Sequence, residues 1–302
     1  MRSPELEDPS YKRVDAASYN LAAVEFDRLT ERFSGPLAIR MLEFAQLQAK
    51  DHVLDVGTGT GLVALRAGSL AKNGRIIGID HSSGMLEQAS AKARRSRLDD
   101  VVTFQHMDAE QLDFPDQCFD AVLSLYALFH FPEPLVAIRE MHRVLRTGGK
   151  VVIGVGSGPN RCSWRGVMQG VTLASQFVAA ARGRLLTAPH FLLRLMSEHG
   201  ISPDEAHEPK APRVRISQML RQVGFKRVHV RWQGYCEVLH PEDFWAIQVT
   251  YASEARIRLQ NATPQEIASL KDDFLEKCRV VQANHGKLIY PHAAMFYAAT
   301  RA

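Results

Sequence analysis

The stretch from His52 to Asp80, HVLDVGTGTGLVALRAGSLAKNGRIIGID, constrains the fold more than any other part of the chain. An apolar strand at 52–56 runs into three glycines at alternate positions, Gly57, Gly59 and Gly61. A helical pattern follows, and a second strand from Arg75 to Ile79 ends on an acid, Asp80. Glycines are needed where a chain turns sharply from strand to helix, and where a ligand must approach the backbone with no Cβ in between. An acid at the tip of the next parallel strand is placed to bind both hydroxyls of a ribose. The pattern specifies a βαβ unit that holds a nucleoside cofactor.

The alternation continues downstream. Residues 82–96 read as a helix capped by Ser82 or Ser83, and 101–107 as a third strand that ends on Asp108-Ala109. FDAVLSL (119–125) is a fourth strand. Residues 133–145 form an amphipathic helix with Leu135, Ile138, Met141 and Leu145 on one face. Thr147-Gly148-Gly149 is a turn, and 150–155 a fifth strand. Strands alternating with helices imply a parallel sheet covered on both faces.

Outside this core the pattern changes. Residues 14–48 read as helix broken at Ser34-Gly35-Pro36, and Tyr19 and Phe26 lie along it. Between Ser157 and Val214 no strand is legible. Two helical patterns, 163–181 and 189–199, precede a connector containing Pro203, Pro209 and Pro212. Trp164, Val167, Met168, Val171, Ala174 and Val178 make an apolar stripe at helical spacing. The α/β rhythm resumes with a helix at 216–223 and a strand at 225–232. Helical patterns at 241–259 and 264–285 precede an edge strand at 294–300. The expected organisation is an N-terminal helical segment over the site (1–50), a cofactor-binding core (51–156), a helical cap insertion (157–215) and the rest of the core with inserted helices (216–302).

Composition adds bounds. The chain has 302 residues, 46% hydrophobic and 23% charged, with no low-complexity tract. The polar start MRSPELEDPSYKR has no apolar run of a secretory signal, and no apolar stretch reaches the roughly 18 residues of a membrane span. Four scattered cysteines, Cys118, Cys162, Cys236 and Cys278, form no CxxC pair. Neither a disulfide framework nor a metal site is expected, and isolated thiols suit a cytoplasmic protein.

By Gly149 the motifs together resemble the class I S-adenosylmethionine-dependent methyltransferases, the small-molecule branch that contains the quinone and sterol C-methyltransferases. DVGTGTG (Asp55–Gly61) looks like that family's first motif, and MDAEQLDFPDQCFDAVLS (Met107–Ser124) like its third and fourth strand blocks. EMHRVLRTGGKVV (Glu140–Val152) is similar to its E-x-x-R-V-L-K-P-G-G block. The resemblance covers about Val53 to Val155, with weaker matches at QMLRQVGFKRVHV (Gln218–Val230). It implies a Rossmann-like seven-stranded sheet, mostly parallel with the last strand antiparallel. Thr58 stands where many relatives carry Cys, Thr147 where they carry Pro, and His81 replaces a common apolar residue.

A dinucleotide-binding domain is the rival reading, but its fingerprint G-x-G-x-x-G counted from Gly57 meets Leu62 at the sixth position. It also leaves Asp108-Ala109 without a role. The resemblance then implies S-adenosylmethionine as cofactor, with S-adenosylhomocysteine as product. Gly57, Thr58, Gly59 and Gly61 let the backbone approach the methionine part, and Asp55 anchors the loop or the ammonium. Asp80 takes the ribose hydroxyls. His81 and Met85 flank the adenine, Asp108 binds its amine and Ala109 lies against the ring. Ser124, Leu125 and Tyr126 contact the methionine end.

Methyl transfer is an in-line displacement in which placement of the nucleophile supplies much of the acceleration. A base is needed only where the acceptor must lose a proton of high pKa. His130, in YALFHF just beyond the fourth strand, is the candidate base. Tyr19, Trp164, Met168, Tyr235 and His240 are candidate substrate contacts, and Glu237 could also face the pocket. From Arg161 to Arg231 twelve Lys/Arg face four acids, a local +8 in a chain of +4. Such a run reads as a solvated face, or as a site for an anionic substrate, a lipid surface or RNA. No base-amine methylase tetrad follows the fourth strand, and no aromatics interleave the basic residues, so nucleic acid is not the expected partner. The apolar cap, with Phe191, Leu192, Leu193, Leu195 and Met196, points to a hydrophobic or amphipathic small acceptor. A nucleic-acid methyltransferase using the basic cap, or a non-catalytic cofactor-binding module, is the alternative.

Overall fold

A computed structural model of the protein describes residues 9–157, 171, 190–201 and 215–302. A long helix, α1 (Pro9–Ala45), leads into β1 (His52–Val56), α2 (Leu62–Leu70), β2 (Arg75–Asp80), α3 (Ser83–Arg95) and β3 (Val102–His106). β4 (Phe119–Leu125), a 3-10 turn (Leu128–His130), α4 (Pro134–Val144) and β5 (Leu145–Gly156) follow. Beyond these lie α5 (His190–Glu198), α6 (Ile216–Val223), β6 (Lys226–Val238), α7 (Pro241–Tyr251), α8 (Ser253–Gln260), α9 (Pro264–Ala283) and β7 (Ile289–Thr300).

The strands form one seven-stranded sheet in the order β3-β2-β1-β4-β5-β7-β6. β1 pairs in parallel with β2 and β4, β2 with β3, and β4 with β5; β7 runs antiparallel to β5. This is the expected Rossmann-like α/β architecture. Strand side chains alternate between faces, and both faces are apolar, so both must be covered. Leu54, Val56, Ile77, Val122, Val151 and Ile153 pack with Ala137, Ile138 and Met141 of α4 and with Met219 and Leu220 of α6. α1 packs beside α2 and α3 and against β4 and β5, with Phe33 and Met41 fully buried.

Several expectations change. α1 is unbroken through Gly35 and Pro36. An internal proline costs roughly 3 kcal/mol, but Leu29, Phe33, Leu37, Ala38 and Met41 are all buried on one side of this helix. That burial on both sides of Pro36 outweighs the lost backbone hydrogen bond. β7 is not an edge strand: it lies between β5 and β6, and β6 takes the edge. Their burial agrees, since β7 has buried residues at His292–Ala294 and Phe296 while β6 is mostly exposed or half-exposed. The expected turn at Thr147-Gly148-Gly149 sits inside β5 as an irregularity, because Phe119 pairs with Leu145 whereas Ala121 pairs with Lys150. The pattern at 241–259 forms two helices, α7 and α8, separated at Ala252.

The Glu140–Arg143 pair explains one sequence block as scaffolding. Arg143 pairs with Glu140 at 2.8 Å and donates to the carbonyls of Leu112 and Phe114, while Glu140 accepts from Leu112 N. One charged pair on α4 thereby fixes the loop between β3 and β4. At the end of the same helix, Arg301 donates to the carbonyls of His142, Arg143 and Leu145, which have no partner within the helix.

Two compact units are present. The first comprises residues 1–157, 210–233 and 294–302, and the second residues 158–209 and 234–293. In the second, Phe274 lies within 6 Å of the rings of Phe191, Phe244 and Trp245. Phe191, Leu192, Leu195 and Met196 are buried. Their apolar surface is therefore used in packing within that unit, which removes most of the apolar surface read above as a lining for the acceptor. Among the described residues no helix is long and apolar enough to cross a membrane.

Candidate active site

The sheet order reverses between β1 and β4, because the chain runs outward through β2 and β3 before returning to β4. In a parallel α/β sheet such a switch opens a crevice at the carboxyl ends of the two strands. Into that crevice β1 delivers the glycine turn. Gly57, Gly59 and Gly61 have φ of 70°, 54° and 82°, and the Gly57 and Thr58 N–H groups both donate to Ile79 O at 2.9 Å. The turn is thus tied to the tip of β2.

Asp55, 1% exposed, anchors this turn from below. Its Oδ2 accepts from the Thr58 hydroxyl at 2.6 Å and from Ala64 N at 3.1 Å. Burial pushes its carboxyl up to about 7, against the opposing effect of those two donors. The native state therefore holds a proton that the unfolded chain releases above its ordinary value near 4. Stability from this group is present at low pH and falls as pH rises toward 7. We expect urea unfolding to show a loss of about 2 kcal/mol between pH 5 and pH 7, and Asp55→Asn to remove most of that slope. An unchanged slope in the variant would refute the assignment.

Asp80 closes the turn from the side. Its Oδ2 accepts from Gly59 N at 2.8 Å and its Oδ1 from Ser82 N at 2.9 Å. Burial raises its carboxyl above the usual range, opposed by the Ser82 and Gly59 donors and by nearby His130. Met85 and Ala109 are buried beside this edge. His81 stacks obliquely on His106 at 5.0 Å, and its carbonyl meets His106 Nε2 at 3.1 Å. At the end of β4, Ser124 is fully buried and Tyr126 has a φ of 62°, its N–H donating to Gly154 O at 2.7 Å.

The first turns of α1 cross this edge and add residues that sequence reasoning missed. Lys12 Nζ lies 2.6 Å from both Asp108 Oδ2 and Glu110 Oε2. Burial would raise Asp108, but Lys12 and the Glu110 N–H outweigh it and hold the carboxyl below its usual range. Asn20 Oδ1 accepts from Ser82 Oγ at 2.7 Å and Gly84 N at 2.9 Å. Asp15, 5% exposed, places Oδ2 2.9 Å from His130 Nδ1, and the Tyr19 hydroxyl lies 3.2 Å from His130 Nε2. A carboxylate accepts only, so Nδ1 carries a proton and Tyr19 donates to Nε2. Lys12, Asp15 and Tyr19 share one helix face, a periodicity visible in the sequence. Their partners lie 96 to 115 residues away, and no local pattern encodes that pairing.

Of the expected substrate contacts, Tyr19 is brought to this edge. Tyr235 lies in the second unit, stacked on His292 at 4.8 Å. His240 is the residue before α7 and Glu237 lies on β6, both also in the second unit. Trp164 and Met168 fall outside the described residues. Among the described residues no group of three or more His, Cys, Asp or Glu could hold a metal ion.

Residues 54–153 match the family model described as "Methyltransferase domain". That stretch is similar to the class I S-adenosylmethionine-dependent methyltransferases. The chain is 38% identical over 127 residues to the 27-O-demethylrifamycin SV methyltransferase of Amycolatopsis mediterranei, covering 42% of this chain and 43% of that protein. It is 29% identical over 245 residues to the demethylmenaquinone methyltransferase of Porphyromonas gingivalis, covering 76% of this chain and 94% of that one. The match thus spans less than half of the first relative and nearly all of the second. Among solved structures, the YcgJ protein of Bacillus subtilis superposes with a TM-score of 0.53 at 22% identity, covering 88% of this chain and 98% of that one. That likeness concerns the fold.

The cofactor of such a methyltransferase is S-adenosylmethionine, and the crevice fits it. Among the described residues a Cβ at Gly59 would meet only Phe26, at 3.8 Å, so the turn presents open backbone there. Ser124 Oγ is fully buried with no hydrogen-bond partner among the described residues, and a buried hydroxyl is ordinarily satisfied. The polar methionine end of the cofactor would satisfy it. Asp80 accepts one backbone N–H on each carboxylate oxygen, which leaves lone pairs for further donors.

Proposed function

We propose that this chain transfers the methyl group of S-adenosylmethionine to a small-molecule acceptor whose proton leaves through Tyr19 and His130. The observation that carries the reading is the Tyr19–His130–Asp15 array at the same strand edge as Asp80 and the glycine turn. The cofactor supplies an electrophilic methyl on a sulfonium. Gly57, Gly59, Gly61, Asp80, Met85, Ala109 and Ser124 bind and orient it, and Asp55 holds the turn. Asp108 accepts from the adenine amine while keeping Lys12 on its other flank. Tyr19 oxygen takes the acceptor's proton as its own passes to His130 Nε2. Asp15, in line with Nδ1, fixes the ring's tautomer and faces the resulting positive charge.

Support for a small acceptor comes from the relatives, which by their names act on a demethylrifamycin and on demethylmenaquinone. Among the described residues, Cys118 and Cys278 are free thiols; such thiols suit a reducing compartment, and we place the reaction in the cytoplasm.

Turnover is read as S-adenosylhomocysteine formed with an acceptor that gains one methylene in mass. His130→Ala is expected to lower kcat about 100-fold, the usual scale of a positioned acid–base group, with cofactor affinity within threefold. Tyr19→Phe should fall nearly as far. Asp15 is a positioning residue: Asp15→Asn should lower kcat about tenfold at unchanged acceptor KM, with partial recovery in Asp15→Glu. Unchanged kcat in His130→Ala would sink the proton route while leaving cofactor binding intact. Calorimetry showing no S-adenosylmethionine binding would sink the enzyme reading itself.

A further inference from the structure

A cavity of about 730 Å³ lies in the first unit, on the side of the sheet covered by α4 and α6. Its size falls within the roughly 300–1,000 Å³ of small-molecule sites. Its floor is the carboxyl end of β5, at Val155, Gly156 and Ser157, with Met295 and Tyr297 of β7 beside it. Phe129 and Val230 border it and are 50% and 45% exposed. Large apolar side chains left open to solvent around a concavity mark a binding surface more than a packing defect. None of these residues has a role in the cofactor crevice.

The position of the cavity ties it to the chemistry. Phe129 belongs to the same 3-10 turn as His130. A Cβ built on Gly156 would lie 4.0 Å from the Tyr126 ring, so one wall of the cavity adjoins the residue that ends β4. The cavity and the cofactor crevice therefore flank one another across the ends of β4 and β5.

The charge of its described lining is one-sided. Arg215, which precedes α6, and Arg221 within it both line the cavity. Neither has an acidic partner among the described residues, in contrast to the paired Arg143, Arg146 and Arg258. Among the described residues, Asp and Glu are absent from the lining, while Ser217, Gln218 and Tyr297 add neutral donors. Burial raises the Tyr297 phenol above its ordinary value, so it stays a hydrogen-bond donor. Arginine presents a planar fork suited to carboxylate, sulfonate and phosphate oxygens.

We propose that this cavity binds the methyl acceptor, and that the acceptor is an amphipathic anion. Its acidic group is held by Arg215 and Arg221 while its apolar body lies along Phe129, Val230 and Met295. Two of the twelve cations between Arg161 and Arg231 then have a substrate role in place of a purely solvated one. The assignment of acceptor rests on the methyltransferase reading above, whereas anion binding in the cavity does not.

Two dyes separate charge from apolar contact: 1-anilinonaphthalene-8-sulfonate and its uncharged relative N-phenyl-1-naphthylamine, titrated by fluorescence into the full chain. In the Arg215→Gln/Arg221→Gln variant the sulfonate should bind at least tenfold more weakly and the neutral dye within twofold of wild type. The Arg215→Lys/Arg221→Lys variant should keep most sulfonate affinity, and Val230→Trp should weaken both dyes by filling the space. Circular dichroism confirms that each variant is folded. A sulfonate indifferent to the glutamines, equal loss of both dyes, or no binding to wild type would each overturn the proposal. With an acceptor found by its gain of one methylene in mass, the glutamine pair should raise KM at least tenfold at kcat within threefold, and an acceptor without an acidic group would overturn it. Failure of S-adenosylmethionine calorimetry would instead remove the methyltransferase reading, with the dye result still standing as evidence of an anion site.

Discussion

Asp80→Asn is expected to weaken S-adenosylmethionine binding about 100-fold in calorimetry. The carboxylate accepts from Gly59 N and Ser82 N, one on each oxygen, and keeps lone pairs for two ribose hydroxyls. Hydrogen bonds to a charged acceptor contribute about 1.5–3 kcal/mol each, so two at the low end give about 3 kcal/mol, or two decades of affinity. The amide retains one acceptor oxygen and turns an N–H group toward a backbone N–H, which displaces the turn as well. The fold should hold, because burial opposes this charge in the free protein and the amide removes that cost. The measured pair is thus a lost affinity with a melting temperature close to that of wild type, the removed charge offsetting the lost backbone acceptor. A loss below threefold would show that Asp80 serves the turn alone.

Gly57→Ala is expected to destabilise the fold by about 3–5 kcal/mol, the scale of severe overpacking joined to backbone strain. At a φ of 70° an added Cβ would stand 2.2 Å from Ala127 Cβ, with Phe131 close behind at 3.8 Å. Ala127 is buried at the start of the turn bearing His130, so relief requires moving either the glycine turn or that turn. Ala127→Gly should restore much of the loss, with a coupling of at least about 1.5 kcal/mol between contacting sites in a double-mutant cycle. What remains is the left-handed backbone, about 1 kcal/mol for alanine. Gly59→Ala provides the contrast. Among the described residues its Cβ meets Phe26 at 3.8 Å, so urea unfolding should show the left-handed backbone cost of about 1 kcal/mol alone while cofactor affinity falls. Additive energies for Gly57→Ala and Ala127→Gly would mean that the contact is not the cause.

Both residues are legible in the sequence for the same reason. A strand, a glycine turn, a helix and a strand ending on an acid are local patterns, and each element's period and punctuation are written within a few residues. The parallel pairing among β1 to β5 follows from the same logic, since strands joined by helical crossovers run parallel. Where local signals conflicted with packing, packing prevailed. Gly35-Pro36 reads as a break, but the apolar face that continues on both sides of Pro36 keeps α1 whole. The C-terminal strand reads as an edge because it comes last in the chain. Only the burial of its central residues against β5 and the exposure of β6 decide otherwise.

The chain by itself carries the pattern read as the methyl-donor side: GxGxG after β1, Asp80 after β2 and Asp108-Ala109 after β3 lie within about fifty residues of one another, each at the end of a strand. Tertiary structure decided the rest. His130 stands out in the sequence as a histidine beyond β4, but nothing near it names Asp15 or Tyr19, which α1 brings from more than a hundred residues away. Arg215 and Arg221 read as two charges in a basic run until β5, β7 and the 3-10 turn close a cavity around them. Spacing along one element carries local chemistry, whereas contacts between distant elements depend on how buried faces pack. The cofactor motif falls in the first class and the proposed acceptor site in the second.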